Sequence, residues 1–165
     1  CDYPLLIGLT EAGSSRMGII KNAEAISALV NMGIGDTVRI SLTDDPVSEV
    51  YAAKDILRSL CLEGHEGMDI ISCPTCGRTK IDLMSLVNEF EEAAKAERLT
   101  NIPIKVALMG CIVNGPGEAR EADVGIAGGK GEALLFKKGE IISKINENEV
   151  VATLINYIKT EYGTN

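Results

Sequence analysis

Residues 4–60 run through the same alternation twice, a short apolar run followed by a helix-period pattern, and this constrains the fold more than any single residue does. Pro4-Leu-Leu-Ile-Gly-Leu9 reads as a buried strand opening into the loop Thr10-Glu-Ala-Gly13. Ile19, Ala23, Ile26 and Val30 then recur at helical spacing until Gly33 and Gly35 stop the pattern. A second strand, Thr37-Val-Arg-Ile-Ser41, follows, and Thr43-Asp-Asp-Pro46 opens a second helix with Val50, Ala53, Leu57 and Leu60 as its expected inner face. Two consecutive strand-helix units imply parallel pairing and right-handed crossovers, with functional groups collecting at the carboxyl ends of the strands. Glu11, Arg39 and Ser41 fall at such ends. Each also has a plainer reading: a solvated loop acid, a member of an ion pair and a turn residue.

The glycine-bearing stretch Leu62 to Gly67 is the expected boundary, dividing residues 1–66 from 67–165. Beyond it, Met68-Asp-Ile-Ile-Ser72 reads as a strand that leads into Cys73-Pro-Thr-Cys76, and Leu83, Leu86, Val87, Phe90 and Ala94 form a helical stripe. Ile104 to Met109 is a further strand, delivering Cys111 and the turn Asn114-Gly-Pro-Gly117. Two short strands, Val124 to Ala127 and Ala133 to Phe136, flank Gly128-Gly-Lys-Gly131, and Val150, Val151, Leu154, Ile155 and Ile158 mark a terminal helix. The second unit is therefore expected to be α+β or mixed α/β, with its chemistry on loops.

Composition removes several functions. A formal charge of -8 with scattered basic residues leaves no footprint for nucleic acid. No apolar run approaches the roughly 20 residues of a membrane helix, and the first residues have no secretory pattern, so a soluble, intracellular chain is expected. The first residue is Cys1 instead of methionine, which raises the expectation of a piece of a longer protein. In such a chain, five cysteines point to metal or redox work more than to disulfides.

Cys73, Cys76 and Cys111, with Glu118 in Gly110-Cys-Ile-Val-Asn-Gly-Pro-Gly-Glu118, have the look of iron-sulfur ligands with one oxygen corner. Alternatives stay open on the residues alone. Cys-Pro-x-Cys-Gly is also half of a zinc ribbon, and His65 can complete a Cys3His set for a non-catalytic, zinc-stabilised interaction domain. A thioredoxin-type pair leaves Cys111 without a role. Glu118 can simply begin a helix, and Asn114 can be only a turn residue. Gly-Gly-Lys-Gly-Glu lacks the spacing of a phosphate-binding loop and reads as a hairpin connection.

Four segments together carry a resemblance: Thr10-Glu-Ala-Gly13, Gly35-Asp-Thr-Val-Arg-Ile-Ser-Leu42, Cys73-Pro-Thr-Cys-Gly-Arg78 and Met109-Gly-Cys-Ile-Val-Asn-Gly-Pro-Gly-Glu-Ala119. They resemble the 4-hydroxy-3-methylbut-2-enyl diphosphate synthase family of isoprenoid biosynthesis. The resemblance implies the last strand-helix units of a TIM-type barrel over 1–66, followed by an α+β cluster domain with a mixed sheet over 67–165. It implies a [4Fe-4S] cluster held by Cys73, Cys76, Cys111 and Glu118. The implied reaction is reductive opening and dehydroxylation of 2-C-methyl-D-erythritol 2,4-cyclodiphosphate, with electrons from flavodoxin or ferredoxin. Asn114 is implied to bond the substrate or an iron-bound hydroxyl, Glu11 to aid proton transfer, and Arg39 and Ser41 to contact the diphosphate. A cytoplasmic bacterial homodimer is implied for the full-length enzyme, and this chain, with the earlier barrel strands missing, is expected to be inactive alone.

Overall fold

The computed structural model describes residues 3–62, 67–112, 117 and 119–163. They divide into two compact units, Cys1–Glu66 and Gly67–Asn165.

The first unit is β1 (Leu6–Gly8), α1 (Ser15–Asn31), β2 (Thr37–Arg39) and α2 (Pro46–Ser59). The strands pair in parallel, Leu6 opposite Thr37 and Gly8 opposite Arg39, as two successive strand-helix units require. The end of α1 is a Schellman turn: Gly33, at φ 73, donates to the Val30 carbonyl at 2.9 Å and Ile34 to that of Leu29 at 3.0 Å. At the start of α2 the Asp45 carboxylate accepts from the Val47 amide at 2.8 Å, with Pro46 in the first turn.

The inner faces of these helices match the expected stripes in part: Ile26 is enclosed, and Ala23, Val30, Ala53 and Leu60 pack against the core. The fully enclosed positions are Gly18, Asn22 and Ile26 on α1 and Ala52 and Ile56 on α2, while Ile19 and Val50 are exposed. The reason is steric. A Cβ at Gly18 would lie 2.6 Å from Leu42 Cδ2, so the closest approach of α1 to the loop after β2 is made through its smallest residue. Ile7, Ile26, Ile40, Ala52 and Ile56 form this unit's small core. Tyr3, Leu6, Met17, Ile20, Met32, Val47 and Tyr51 stay at least half exposed around it.

The second unit is a five-stranded mixed sheet in the order β3 (Asp69–Ser72), β4 (Lys105–Met109), β5 (Val124–Gly128), β6 (Glu132–Lys137), β7 (Glu140–Asn146). The first three strands are parallel and the last two antiparallel. α3 (Leu83–Ala96) and α4 (Val150–Tyr162) share one core with the sheet. Phe90 and Ala94 from α3, Val106 and Leu108 from β4, Ile126 from β5 and Leu154 and Ile158 from α4 are all enclosed there. Ala107, Met109, Ala127 and Phe136 point to the opposite face, against Ala119 and Ala122. Covering both faces is what makes β5 and, after Lys105, β4 apolar, as central parallel strands are.

β5 and β6 flank the glycine-rich connection as expected, but β7 is an addition to the strands read from the sequence. It is an edge strand whose residues are exposed or half-buried, including Ile141 and Ile142, so no apolar run announces it. The turn before it, Lys138 at φ 49 and Gly139 at φ 81, is the two-residue hairpin geometry that matches strand twist. No helix among the described residues is long and apolar enough to cross a membrane.

Candidate functional site

Because β3 and β4 are parallel neighbours with Ser72 opposite Leu108, they end on the same edge of the sheet. Their outgoing loops carry Cys73 and Cys76 from one strand and Cys111 from the other, which places thiols 35 or more residues apart in sequence on one edge. All three are free of disulfide bonds. Cys111 is buried, Cys73 is half-buried between the two cores of this unit, and Cys76 is exposed.

Two contacts tie the loops together. The Gly110 amide donates to Cys73 Sγ at 3.3 Å, and the Gly110 carbonyl accepts from the Lys80 amide at 3.0 Å. An amide aimed at a thiolate sulfur is the kind of bond that fixes and tunes a metal ligand. The Cys76 turn is closed by Thr79, whose hydroxyl accepts from the Cys76 amide at 3.1 Å and whose own amide donates to the Cys76 carbonyl at 3.0 Å. The Arg78 amide, donating to the Cys76 thiol, holds its pKa below the ordinary thiol range; partial desolvation opposes this, and Thr79 and the Arg78 charge add to the lowering. Beside Cys73 lies an open, uncharged cleft of about 290 Å³, lined by Pro74 and Thr75 from the loop and Met84, Val87 and Asn88 from α3.

The donor chemistry suits a soft metal or a cluster: unpaired thiols, one accepting an amide and one poised to ionise. Among the described residues, however, no three His, Cys, Asp or Glu side chains are gathered closely enough to hold an ion. The edge is shared, but the described thiols do not form a closed set. Glu118 and Asn114, and His65 of the zinc alternative, lie outside the described residues.

In the first unit, Glu11, Arg39 and Ser41 all sit at the carboxyl end of the two-stranded sheet. Glu11 is exposed and adopts a left-handed φ of 58, which aims the loop after β1. The exposed Arg39 folds back over its strand partner, its Nε only 3.2 Å from where a Gly8 Cβ would stand. Ser41 is half-buried. The two loops are joined directly, since the Thr43 amide donates to the Gly13 carbonyl at 2.9 Å and Ser14 bridges Thr43 in parallel.

Comparison with known proteins decides the family. Residues 69–160 match the model described as GcpE protein C-terminal domain, and residues 1–54 match the GcpE TIM-barrel domain. The chain belongs to the GcpE family. It is similar to the proteins named 4-hydroxy-3-methylbut-2-en-1-yl diphosphate synthase (flavodoxin) of Clostridium perfringens, at 55% identity over 161 residues, and of Halalkalibacterium halodurans, at 53% over 164. These alignments cover 96% and 98% of this chain but 44% of each relative, so the chain spans less than half the length of the curated relatives it matches.

In this GcpE chain the sequence reading missed the parts that hold the candidates in place. Thr79 and Gly110 organise the thiol loops, yet nothing in a one-dimensional pattern pairs residues from different loops. Asn22 and Glu49, which bond the loop after β2, did leave a signal. Asn22 is a polar residue on the enclosed face of an amphipathic helix, between Gly18 and Ile26, and Glu49 is an acid in a first helical turn.

Proposed function

We propose that this chain carries the cluster-bearing part of a 4-hydroxy-3-methylbut-2-en-1-yl diphosphate synthase. Cys73, Cys76 and Cys111 hold a [4Fe-4S] group through thiolates, and Glu118 holds it through an oxygen that substrate can displace. When bound, the cluster would relay two electrons from the external donor, one at a time, and would offer a Lewis-acidic iron to a cyclic diphosphate. With two protons, these electrons open the ring of 2-C-methyl-D-erythritol 2,4-cyclodiphosphate, release one water and leave the linear allylic diphosphate. The observation that supports the reading is the common edge of β3 and β4, which carries free thiols on two outgoing loops and where the Gly110 amide bonds Cys73 Sγ.

The residues divide the remaining work. A depressed Cys76 pKa keeps more of that thiol in the form that binds metal. Arg39 and Ser41 at the end of β2 offer a guanidinium fork and a hydroxyl to diphosphate oxygens. Glu11 holds or delivers a proton at the departing hydroxyl, and Asn114 bonds a substrate hydroxyl. The electron donor is flavodoxin, as in the relatives' names, or a ferredoxin. The full-length enzyme works as a cytoplasmic homodimer, residues 1–66 belonging to its barrel and 67–165 to its cluster domain. The 165-residue chain alone is expected to show no turnover.

Anaerobic reconstitution with iron and sulfide tests this. About four irons per chain are expected, the stoichiometry of a [4Fe-4S] group, with an EPR or Mössbauer signature that changes in Glu118→Ala. Failure to assemble, or one zinc per chain lost in His65→Ala, would overturn the assignment.

A further inference from the structure

Two side chains from different helices close on a single peptide group. The carbonyl of Ser41 accepts from Asn22 Nδ2 at 3.3 Å, and the amide of Leu42, the other polar atom of that peptide, donates to Glu49 Oε1 at 2.9 Å. Asn22 comes from the middle of α1, and Glu49 from the first turn of α2.

Asn22 is fully enclosed, and its amide also donates to the Gly18 carbonyl at 2.8 Å. That fixes its orientation, because turning the amide over would set its oxygen against two carbonyls. Among the described residues no donor reaches Asn22 Oδ1. An unsatisfied acceptor within a core of isoleucines and alanines is a penalty that leucine would not carry, so the position is better explained by what its amide donates. A peptide bonded at one atom can still swing; bonded at both, it fixes the backbone from which the Ser41 side chain projects before any ligand arrives.

We propose that Asn22 and Glu49 are positioning residues that clamp the Ser41–Leu42 peptide, presenting the Ser41 hydroxyl beside Arg39 to the oxygens of a phosphoryl ligand. The inference rests on the reading of Arg39 and Ser41 as diphosphate contacts. It also makes a prediction opposite in sign to simple electrostatics. Removing the Glu49 charge near an anion site should tighten anion binding, whereas losing the clamp should weaken it.

The test is titration of the 165-residue chain with inorganic pyrophosphate, followed by NMR, together with hydrogen exchange at the Leu42 amide. Wild type is expected to bind and Arg39→Ala to bind less well. Glu49→Ala and Asn22→Leu should each weaken binding about fivefold, the worth of one positioned hydrogen bond. Glu49→Gln, which keeps the acceptor and drops the charge, should bind at least as tightly as wild type. Leu42 exchange should quicken about tenfold in Glu49→Ala and stay slow in Glu49→Gln. If Glu49→Ala binds as tightly as wild type or more so while Arg39→Ala is weakened, the clamp is refuted and the diphosphate reading stands. If wild type does not bind, or Arg39→Ala binds as wild type does, the diphosphate reading falls and the clamp's role falls with it. Should Asn22→Leu fail to fold, the two Glu49 variants decide the matter.

Discussion

Gly110→Ala is the most informative perturbation of the thiol loops. A Cβ at Gly110 would stand 2.8 Å from Thr79 Cγ2 and 2.9 Å from Thr79 Oγ1. Carbon contacts settle at about 3.5–4.0 Å, so Thr79 must retreat by roughly 0.7 Å or more. Forcing a group into a packed site of this kind costs about 1–3 kcal/mol. The retreat also strains the bond from the Cys76 amide to Thr79 Oγ1, worth about 0.5–1.5 kcal/mol. A total of about 2–4 kcal/mol follows. Native-state hydrogen exchange at the β4 and β5 amides reads this directly, because those enclosed strands report opening of the whole unit. The cause is isolated by Thr79→Ala, which removes the obstructing atoms. The double variant should lose less than the sum of the single losses, by about 1–2 kcal/mol. Strict additivity would refute the steric argument, as would a Gly110→Ala variant as stable as wild type.

Four further outcomes are expected. Alkylation of Cys76 should reach half its maximal rate at a lower pH than for an unperturbed thiol, since the Arg78 amide favours the thiolate, and Thr79→Val should move that midpoint upward; mass spectrometry of the modified peptide measures both. The Asp82 carboxylate, bonded by the Ser85 hydroxyl at 2.8 Å and the Ser85 amide at 3.2 Å, has a depressed pKa, so its stabilising effect is present above the ordinary carboxylate range and lost as pH falls through its lower folded value. Asp82→Ala should therefore lower the thermal midpoint near neutrality and match wild type in strong acid. Phe90→Ala, at the centre of the second unit's core, should cost about 3–5 kcal/mol in β4 exchange protection. Ile20→Lys, on the exposed face of α1, should leave the thermal midpoint close to wild type, a change within about 0.5 kcal/mol, since Ile20 is 50% exposed.

Legibility in the sequence followed burial. β4, β5, β6, α3 and α4 are all apparent because they are enclosed on at least one side, and enclosure imposes either a continuous run or a periodic stripe. β7 has little such imprint, being an edge strand open to solvent. On α1 and α2, Ile26, Ala23, Val30, Ala53 and Leu60 lie in or against the core as expected, whereas Ile19 and Val50 are exposed, because the largest apolar residues are not always the inward ones. Where Leu42 presses on Gly18, contact is made by the absence of a side chain, and a hydrophobic stripe cannot register that. Among the candidate residues, cysteine spacing was plain, while the Gly110 amide and the Thr79 hydroxyl became visible only once residues 37 and 3 positions apart from their partners had been brought into contact.

Parallel pairing does more for the thiols than set them on one edge. Gly110 immediately precedes Cys111, and it is the Gly110 amide that bonds Cys73 Sγ, so the backbone of one ligand loop is a partner of the other loop's sulfur. The Gly110 carbonyl meanwhile holds Lys80, at the far end of the Cys76 turn. A displacement of the Cys111 loop is therefore felt at Cys73 Sγ and at the end of the Cys76 turn, so on the proposed assignment the two loops would not load metal as independent half-sites. Substituting Cys111 should alter the environment of Cys73 and Cys76 as well as remove a thiol. The consequence for reconstitution is all-or-none uptake of iron: a graded series of partly loaded forms in Cys111→Ser would mean that the loops act separately, despite the bonds that join them.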